Sequence, residues 1–251
     1  MRSAIFVMAK DPRAGHVKTR LCPPLDAGAA ARLYRCFLLD VLDLVASVPE
    51  AQPVVAYTPA EARAAFAHLV NGRFPLVPQE GSDLGARLEN TFRALFQQGY
   101  GRVAALSTDS PDLPPEYLVE AFSRLERSPL VMGPCPDGGY YLIGMSRLVP
   151  ELFREMPWST DRVVRLTEER AARLGLDIAR LPEWHDVDTA DDLFRLCRDL
   201  TGGEQSKRRA PRTAAFCREE LRGFLTREEN LPAAEAAGDK PPPSTGLTNA
   251  T

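Results

Sequence analysis

Histidine is scarce in this chain. There are three in 251 residues, with His16 and His185 far apart and His68 inside a helical pattern, so no histidine cluster for metal binding or general base work can be drawn. GxSxG is also missing, which leaves a serine nucleophile of the hydrolase type unsupported. Neither GxxxxGKS/T nor GxGxxG occurs, so the common phosphate-loop and dinucleotide signatures are excluded. No apolar run approaches the ~20 residues of a membrane-spanning helix, and the first residues enter a strand pattern without the cationic and apolar regions of a signal peptide. These absences give the expectation of a cytoplasmic protein without membrane insertion. Charge of one sign is lacking too: 31 Lys and Arg stand against 34 Asp and Glu. That balance provides no broad attraction to nucleic acid or an anionic lipid surface. The five cysteines, Cys22, Cys36, Cys135, Cys197 and Cys217, are odd in number and contain no CxxC pair. Reduced thiols are therefore expected.

What the chain does have is alternation. The runs SAIFVMA, QPVVAY, FPLVP, RVAALS, LVMG, YYLIGM and DIARL read as strands, separated by segments of helical period. Strands alternating with helices predict an α/β fold, a mostly parallel twisted sheet flanked by helices on both faces. Leu33, Phe37, Leu38, Val41, Leu44 and Val45 mark a long core-facing helix with Asp26 as its N-cap. Thr58, Pro59 and Glu61 read as a capping box for the next helix. Further helices are expected to begin near Asp83, Pro115, Ser159 and Ala190. After Gly202 the composition turns polar, then rich in proline and small residues. We read residues 1–202 as the catalytic domain and 203–251 as a largely disordered tail with a short amphipathic helix over 213–229.

Two acidic segments follow strands: Asp109 and Asp112 in STDSPDLP, and Asp186 and Asp188 in HDVDTADDL. Carboxylates at strand ends suit a hard cation such as Mg²⁺ or Mn²⁺, with donor phosphates completing the shell. Asp109 is the first expected ligand and Asp188 the second. Asp112 reads equally as a helix cap, and Thr189 or Asp188 as the cap of ADDLFRLCRDL. Packing beside the Asp186–Asp188 turn is the reading for His185.

The segment MAKDPRAGHVKTRL places Lys10, Arg13, Lys18 and Arg20 directly after the first strand, where open α/β sheets bind ligands. Lys18, Thr19 and Arg20 can offer point charge, hydroxyl and planar fork to phosphate oxygens, and Gly15 would allow close backbone approach. The plain alternative is a solvated connection. QEGSDLGARL offers Gln79, Gly81, Asp83 and Arg87 at another strand end, with Asp83 also readable as an N-cap. In GPCPDGGYYLIG, Gly138 and Gly139 permit a tight turn, with Asp137 and Tyr140 expected exposed at its edge on the acceptor side. A simple hairpin turn explains the same glycines.

Together, MAKDPRAGHVKTRL, QEGSDLGARL, STDSPDLP, PCPDGGYYLIG, the WST that follows and DVDTADDL resemble the arsenosugar-biosynthesis-type, or radical-SAM-associated, glycosyltransferases. The resemblance covers about the first 200 residues. It implies the nucleotide-diphospho-sugar transferase superfamily and its GT-A fold. The KTRL spacing and DVDT ending are also similar to those of 2-phospho-lactate guanylyltransferases. Carried over by position, Lys10, Lys18 and Arg20 match a phosphate-facing loop, Asp109 the metal aspartate and Asp188 the second acid. Gln79, Gly81 and Gly85 match a loop near the base or sugar. The first loop lacks the glycine pair of sugar-nucleotide pyrophosphorylases, and STDSPD is no DxD triplet.

The expected function is thus a metal-dependent transferase using a nucleotide-activated donor and a small-molecule acceptor, with glycosyl transfer first. Nucleotidyl transfer to a phosphorylated small molecule is the alternative, and a nucleotide-binding protein without turnover the third reading. Lys18, Arg20, Asp109 and Asp137 are the expected catalytic residues, Asp137 orienting or deprotonating the acceptor.

Overall fold

The computed structural model describes residues 1–202 and 208–222. Strands run over Ser3–Lys10 (β1), Gln52–Thr58 (β2), Leu76–Pro78 (β3), Arg102–Leu106 (β4), Leu130–Pro134 (β5), Tyr140–Met145 (β6) and Ile178–Arg180 (β7). Helices span Ala27–Ala46 (α1), Arg63–Val70 (α2), Leu84–Gln97 (α3), Pro115–Arg124 (α4), Val163–Arg173 (α5), Ala190–Gly202 (α6) and Pro211–Glu220 (α7). All seven apolar runs are strands of one sheet, ordered β3-β2-β1-β4-β6-β5-β7. Only β6 runs antiparallel to its neighbours, pairing with β4 and β5.

Alternation along β1 explains the layers. Ile5 and Val7 enter one apolar cluster with Leu38, Val41, Phe66 and Phe122, while Ala4 and Phe6 enter another with Leu88, Phe92, Leu95 and Val164. Successive strand side chains face opposite sides, so the first cluster lies under α1, α2 and α4 and the second under α3 and α5. The α/β architecture with helices on both faces follows directly. Because β6 reverses, its start lies at the same sheet edge as the carboxyl ends of β1, β2, β3 and β4. The turns after those strands, and the β5–β6 turn, are thereby gathered at one rim.

Local signals fare unevenly. Asp26 caps α1 by accepting from Ala29 N–H at 2.7 Å, and Asp83 caps α3 through Ala86 N–H at 2.8 Å. The capping box at Thr58 does not form: Thr58 stays in β2, paired in register with Lys10, and a 3-10 turn at Ala60–Ala62 precedes α2. The helix expected from Ser159 starts at Val163, because Ser159 has a left-handed backbone, φ 62°.

The C-terminal boundary also needs correction. The helix expected over 213–229 runs Pro211–Glu220 and packs on α1 and α6, so the packed body extends past residue 202. Leu33 and Phe37 of α1, Leu193, Leu196 and Leu200 of α6, and Ala214 and Phe216 of α7 form a third apolar cluster. Residues 203–207 and 223–251, with the remainder of the expected tail, lie outside the described residues. Cys197 and Cys217 are joined as a disulfide, contrary to the reduced state expected from their spacing. Helix packing brings the two Cα atoms to 5.4 Å across a separation of 20 residues, well inside bonding range. Cys22, Cys36 and Cys135 are free.

Candidate active site

The loop after β1 is anchored by Val17, which packs on Ala31 and Tyr34 of α1. Lys18, with φ 48°, then turns its side chain inward, leaving 6% of it exposed. Its Nζ lies 2.7 Å from Asp109 Oδ1 and 3.0 Å from Asp188 Oδ1, and donates to the Val187 carbonyl at 2.7 Å. Phe37 lies beneath the ammonium at 5.9 Å from its ring centre. Burial opposes the charge on Lys18, but Asp109 and Asp188 outweigh it, so its pKa stands above the ordinary lysine value.

Two hydrogen bonds splice the acidic segments together. Val187 N–H donates to the Asp109 carbonyl at 2.9 Å, and Ser110 Oγ donates to the His185 carbonyl at 2.8 Å. The segment after β4 thus runs beside the segment before α6. Asp188 is left free to face Lys18 because α6 is capped elsewhere: Thr189 Oγ1 accepts from Asp192 N–H, and Asp192 Oδ2 accepts from Thr189 N–H. Asp112 does not cap α4. It is buried, accepts from Trp184 Nε1 at 3.3 Å and lies 3.4 Å from His185 Nε2. His185 stacks on Trp184, the packing role expected for it.

The other basic residues diverge. Arg20 is exposed and reaches Asp188 at 3.9 Å, with Thr19 exposed beside it in a 3-10 turn. Lys10 is exposed at the end of β1. Arg13 is engaged by Asp11 at 2.5 Å and is not directed at the Lys18 centre. Gly15, φ 78°, stands in open space.

Gln79 braces the rim, its Nε2 donating to the carbonyls of Ala9 at 3.1 Å and Ala56 at 2.7 Å. Gly81 has φ 139°, and a Cβ there would come within 2.7 Å of Ala86, so only glycine fits this turn. Gly85 is buried against the Phe153 carbonyl and Trp158, where a Cβ would have no room.

At the β5–β6 turn, Asp137 Oδ1 accepts from Gly139 N–H at 2.8 Å and Cys135 N–H donates to the Gly139 carbonyl at 2.8 Å. The hairpin reading of the DGG turn therefore holds. Asp137 is exposed as expected, whereas Tyr140 is half-buried and packs edge-on against Trp158. Asp137 also faces Asp186. Burial first, then Asp137 and Asp188, push the Asp186 carboxyl up to about 6.

Sequence reasoning missed three participants. Tyr34 accepts from Lys10 N–H at 2.9 Å and lies 3.3 Å from the Thr108 hydroxyl, tying the ends of β1 and β4; burial pushes its hydroxyl up to about 12. Its helical spacing identifies it only as core. Cys135 and Asp186 come together with Asp137, their ligand atoms within 4.8 Å of one another. The Asp186–Asp188 pair was a visible signal for one of these; nothing in sequence spacing pointed to the thiol.

Asp109 and Asp188, drawn from distant segments, share one cation. Both carboxylates converge on the Lys18 ammonium, and carboxylate oxygen is the donor type that Mg²⁺ and Mn²⁺ take.

The sequence matches the family model described as an uncharacterized protein conserved in bacteria (DUF2064) over residues 41–160. The structure and sequence are also similar to a crystal structure from Desulfovibrio desulfuricans G20, provisionally described as a nucleotide-diphospho-sugar transferase: 34% identity, 92% of this chain, 100% of that one, TM-score 0.84. This chain belongs to the same family. Beyond this nucleotide-diphospho-sugar-transferase-like family, the fold is shared with a cytidylyltransferase from Leptospira borgpetersenii serovar Hardjo-bovis, at 13% identity, 94% of this chain, 100% of that one and TM-score 0.56. It is shared as well with CMP:2-keto-3-deoxy-manno-octonic acid synthetase complexed with CTP, at 13% identity, 80% and 99% coverage and TM-score 0.54. The family fold is thus one that nucleotidyltransferases also use. The sequence matches no curated protein.

Proposed function

We propose that this chain is a transferase that uses a nucleotide-activated donor, passing the glycosyl group of a nucleotide diphosphate sugar to a small-molecule acceptor. The observation that carries the reading is the convergence of Lys18, Asp109 and Asp188 at the carboxyl rim of a parallel sheet. Membership of the Desulfovibrio protein's family and the six-motif resemblance to arsenosugar-type glycosyltransferases support it.

Asp109 and Asp188 would hold Mg²⁺ or Mn²⁺, which when bound neutralises charge on the donor phosphates. Lys18, held between the same two carboxylates, would add its positive charge beside those phosphates. Arg20, exposed beside Asp188, adds a planar donor for charge on the departing phosphate. Val17 and Tyr34 hold the loop so that little reorganisation is needed when charge develops. Asp137, on the rim across from this loop, orients the acceptor, and Gly139 N–H fixes its carboxylate.

Nucleotidyl transfer to a phosphorylated small molecule is the second reading, favoured by the exposed cations Lys10 at the end of β1 and Arg20 in the loop that follows, which suit the added charge of a triphosphate. One panel separates the two. Nucleoside triphosphates and nucleotide sugars are tested with Mg²⁺ or Mn²⁺ for thermal stabilisation, since a ligand of the native state raises apparent stability. Selective metal-dependent stabilisation by one nucleotide sugar supports glycosyl transfer. Preference for one triphosphate replaces it with nucleotidyl transfer, and no metal-dependent shift with any donor removes both in favour of a protein without turnover.

A further inference from the structure

Asp109 and Asp188 are compensated by Lys18, but the carboxylates of Asp137 and Asp186 take part in no ion pair among the described residues. A thiol completes their cluster. Cys135, at the end of β5, is 5% exposed, and its Sγ is neither disulfide-bonded nor hydrogen-bonded among the described residues. Sγ and one carboxylate oxygen from each aspartate all lie within 4.8 Å of one another. The thiol is buried and unpartnered, Asp186 is half-buried and Asp137 is exposed, so the cluster offers three donors that a cation can reach.

We propose that Cys135, Asp137 and Asp186 bind one thiophilic divalent cation of the zinc type, beside the Asp109–Asp188 pair and with its own three donors. Sulfur sets the class: thiolate selects zinc and related ions, whereas Mg²⁺ is held by oxygen alone. A tetrahedral ion with ordinary zinc bond lengths spaces sulfur and oxygen donors by about 3.6 Å, so the three atoms stand within side-chain reach of it. On binding, the metal–sulfur bond replaces S–H and the thiol proton passes to water.

Two features prepare the site. Gly139 N–H holds Asp137 Oδ1, the outer-shell contact that orients a ligating carboxylate, and leaves Asp137 Oδ2 for the ion. Cys135 is fixed by backbone bonds to Gly139 and Gly138 across the turn. Three protein donors leave a fourth position open, the pattern of zinc sites that take a substrate group or water. On the proposed transferase reading, with Asp137 on the acceptor side, Asp137 would orient the acceptor through the ion. The site does not depend on which donor the transferase uses.

The test titrates the intact, metal-stripped protein with Co²⁺, whose thiolate charge-transfer absorption reports sulfur ligation, and then displaces it with Zn²⁺. One equivalent should give the band. Cys135→Ser should abolish it, while a Cys22→Ser, Cys36→Ser variant should keep it. Asp137→Asn, on an exposed turn, should preserve the fold and the band yet weaken Co²⁺ binding by more than about tenfold, since even outer-shell changes in metal sites cost that much. Absence of the band in the wild type, its persistence in Cys135→Ser, or unchanged affinity in Asp137→Asn would each overturn the proposal.

Discussion

Lys18 places its ammonium 2.7 Å from the carboxylate of Asp109, across the gap between the β1 loop and the end of β4. The pair is asymmetric, because 6% of the Lys18 side chain and 32% of the Asp109 side chain are exposed. Lys18→Met should therefore cost stability by leaving Asp109 unpaired and Asp188 with only the more distant Arg20. With both acids partly solvated, the loss should be about 1–3 kcal/mol by urea unfolding at neutral pH, below that of a fully buried pair. The sign with pH follows from the raised Lys18 pKa. Its contribution is fully present below the ordinary value of 10.5 and declines as pH rises beyond it, so wild type and variant should converge in alkali and remain apart at pH 7.

Asp109→Asn should reduce turnover by roughly 10²–10³-fold, the scale of removing a preorganised electrostatic contact. Donor stabilisation by Mg²⁺ in the thermal panel should disappear with it. Unchanged metal dependence in this variant would show that the ion is held elsewhere.

Asp40 is a residue of α1 that serves α7. Its fully buried carboxylate accepts from Arg212 N–H at 3.2 Å, Thr213 N–H at 2.9 Å and Thr213 Oγ1 at 2.8 Å, capping a helix distant in sequence. Asp40→Ala leaves those buried donors without partners and should cost about 2–3 kcal/mol. Urea unfolding measures the loss, and protease sensitivity around Pro211–Glu220 should rise in parallel.

Reducing the Cys197–Cys217 bond should also loosen α7. A closed loop of 20 residues corresponds to about 3 kcal/mol of denatured-state entropy. For a body of this size the melting temperature should fall by roughly 6–12 °C on adding reductant. A Cys197→Ser, Cys217→Ser variant should melt at the reduced temperature and ignore the reductant.

Gly138 has φ 86°, and a Cβ there would strike the Asp161 carbonyl. Gly138→Ala should cost about 2 kcal/mol or more, through left-handed strain and backbone collision together. Because the β5–β6 turn carries Asp137, acceptor KM should rise more than donor KM in steady-state assays.

Much of the frame was legible in the chain. Every strand run was a strand, since apolar runs punctuated by turn residues are a local signal. Asp26 and Asp83 were readable as caps for the same reason. Thr58 misled because its capping pattern competed with pairing to β1, and pairing with Lys10 prevailed. Gly85 packs under Trp158, which its place in QEGSDLGARL did not announce, because sequence does not show what a glycine packs against.

Sequence alone determined the class of fold, the acids at strand ends and the basic loop after β1, because hydrophobic period and residue chemistry are properties of short segments. Tertiary structure decided which of these meet. Lys18 reaches Asp109 and Asp188 while Arg13 is taken by Asp11, Cys197 finds Cys217, and Cys135 faces Asp137 and Asp186. Those outcomes depend on strand order and on the hydrogen bonds splicing two distant turns, and no local spacing encodes either.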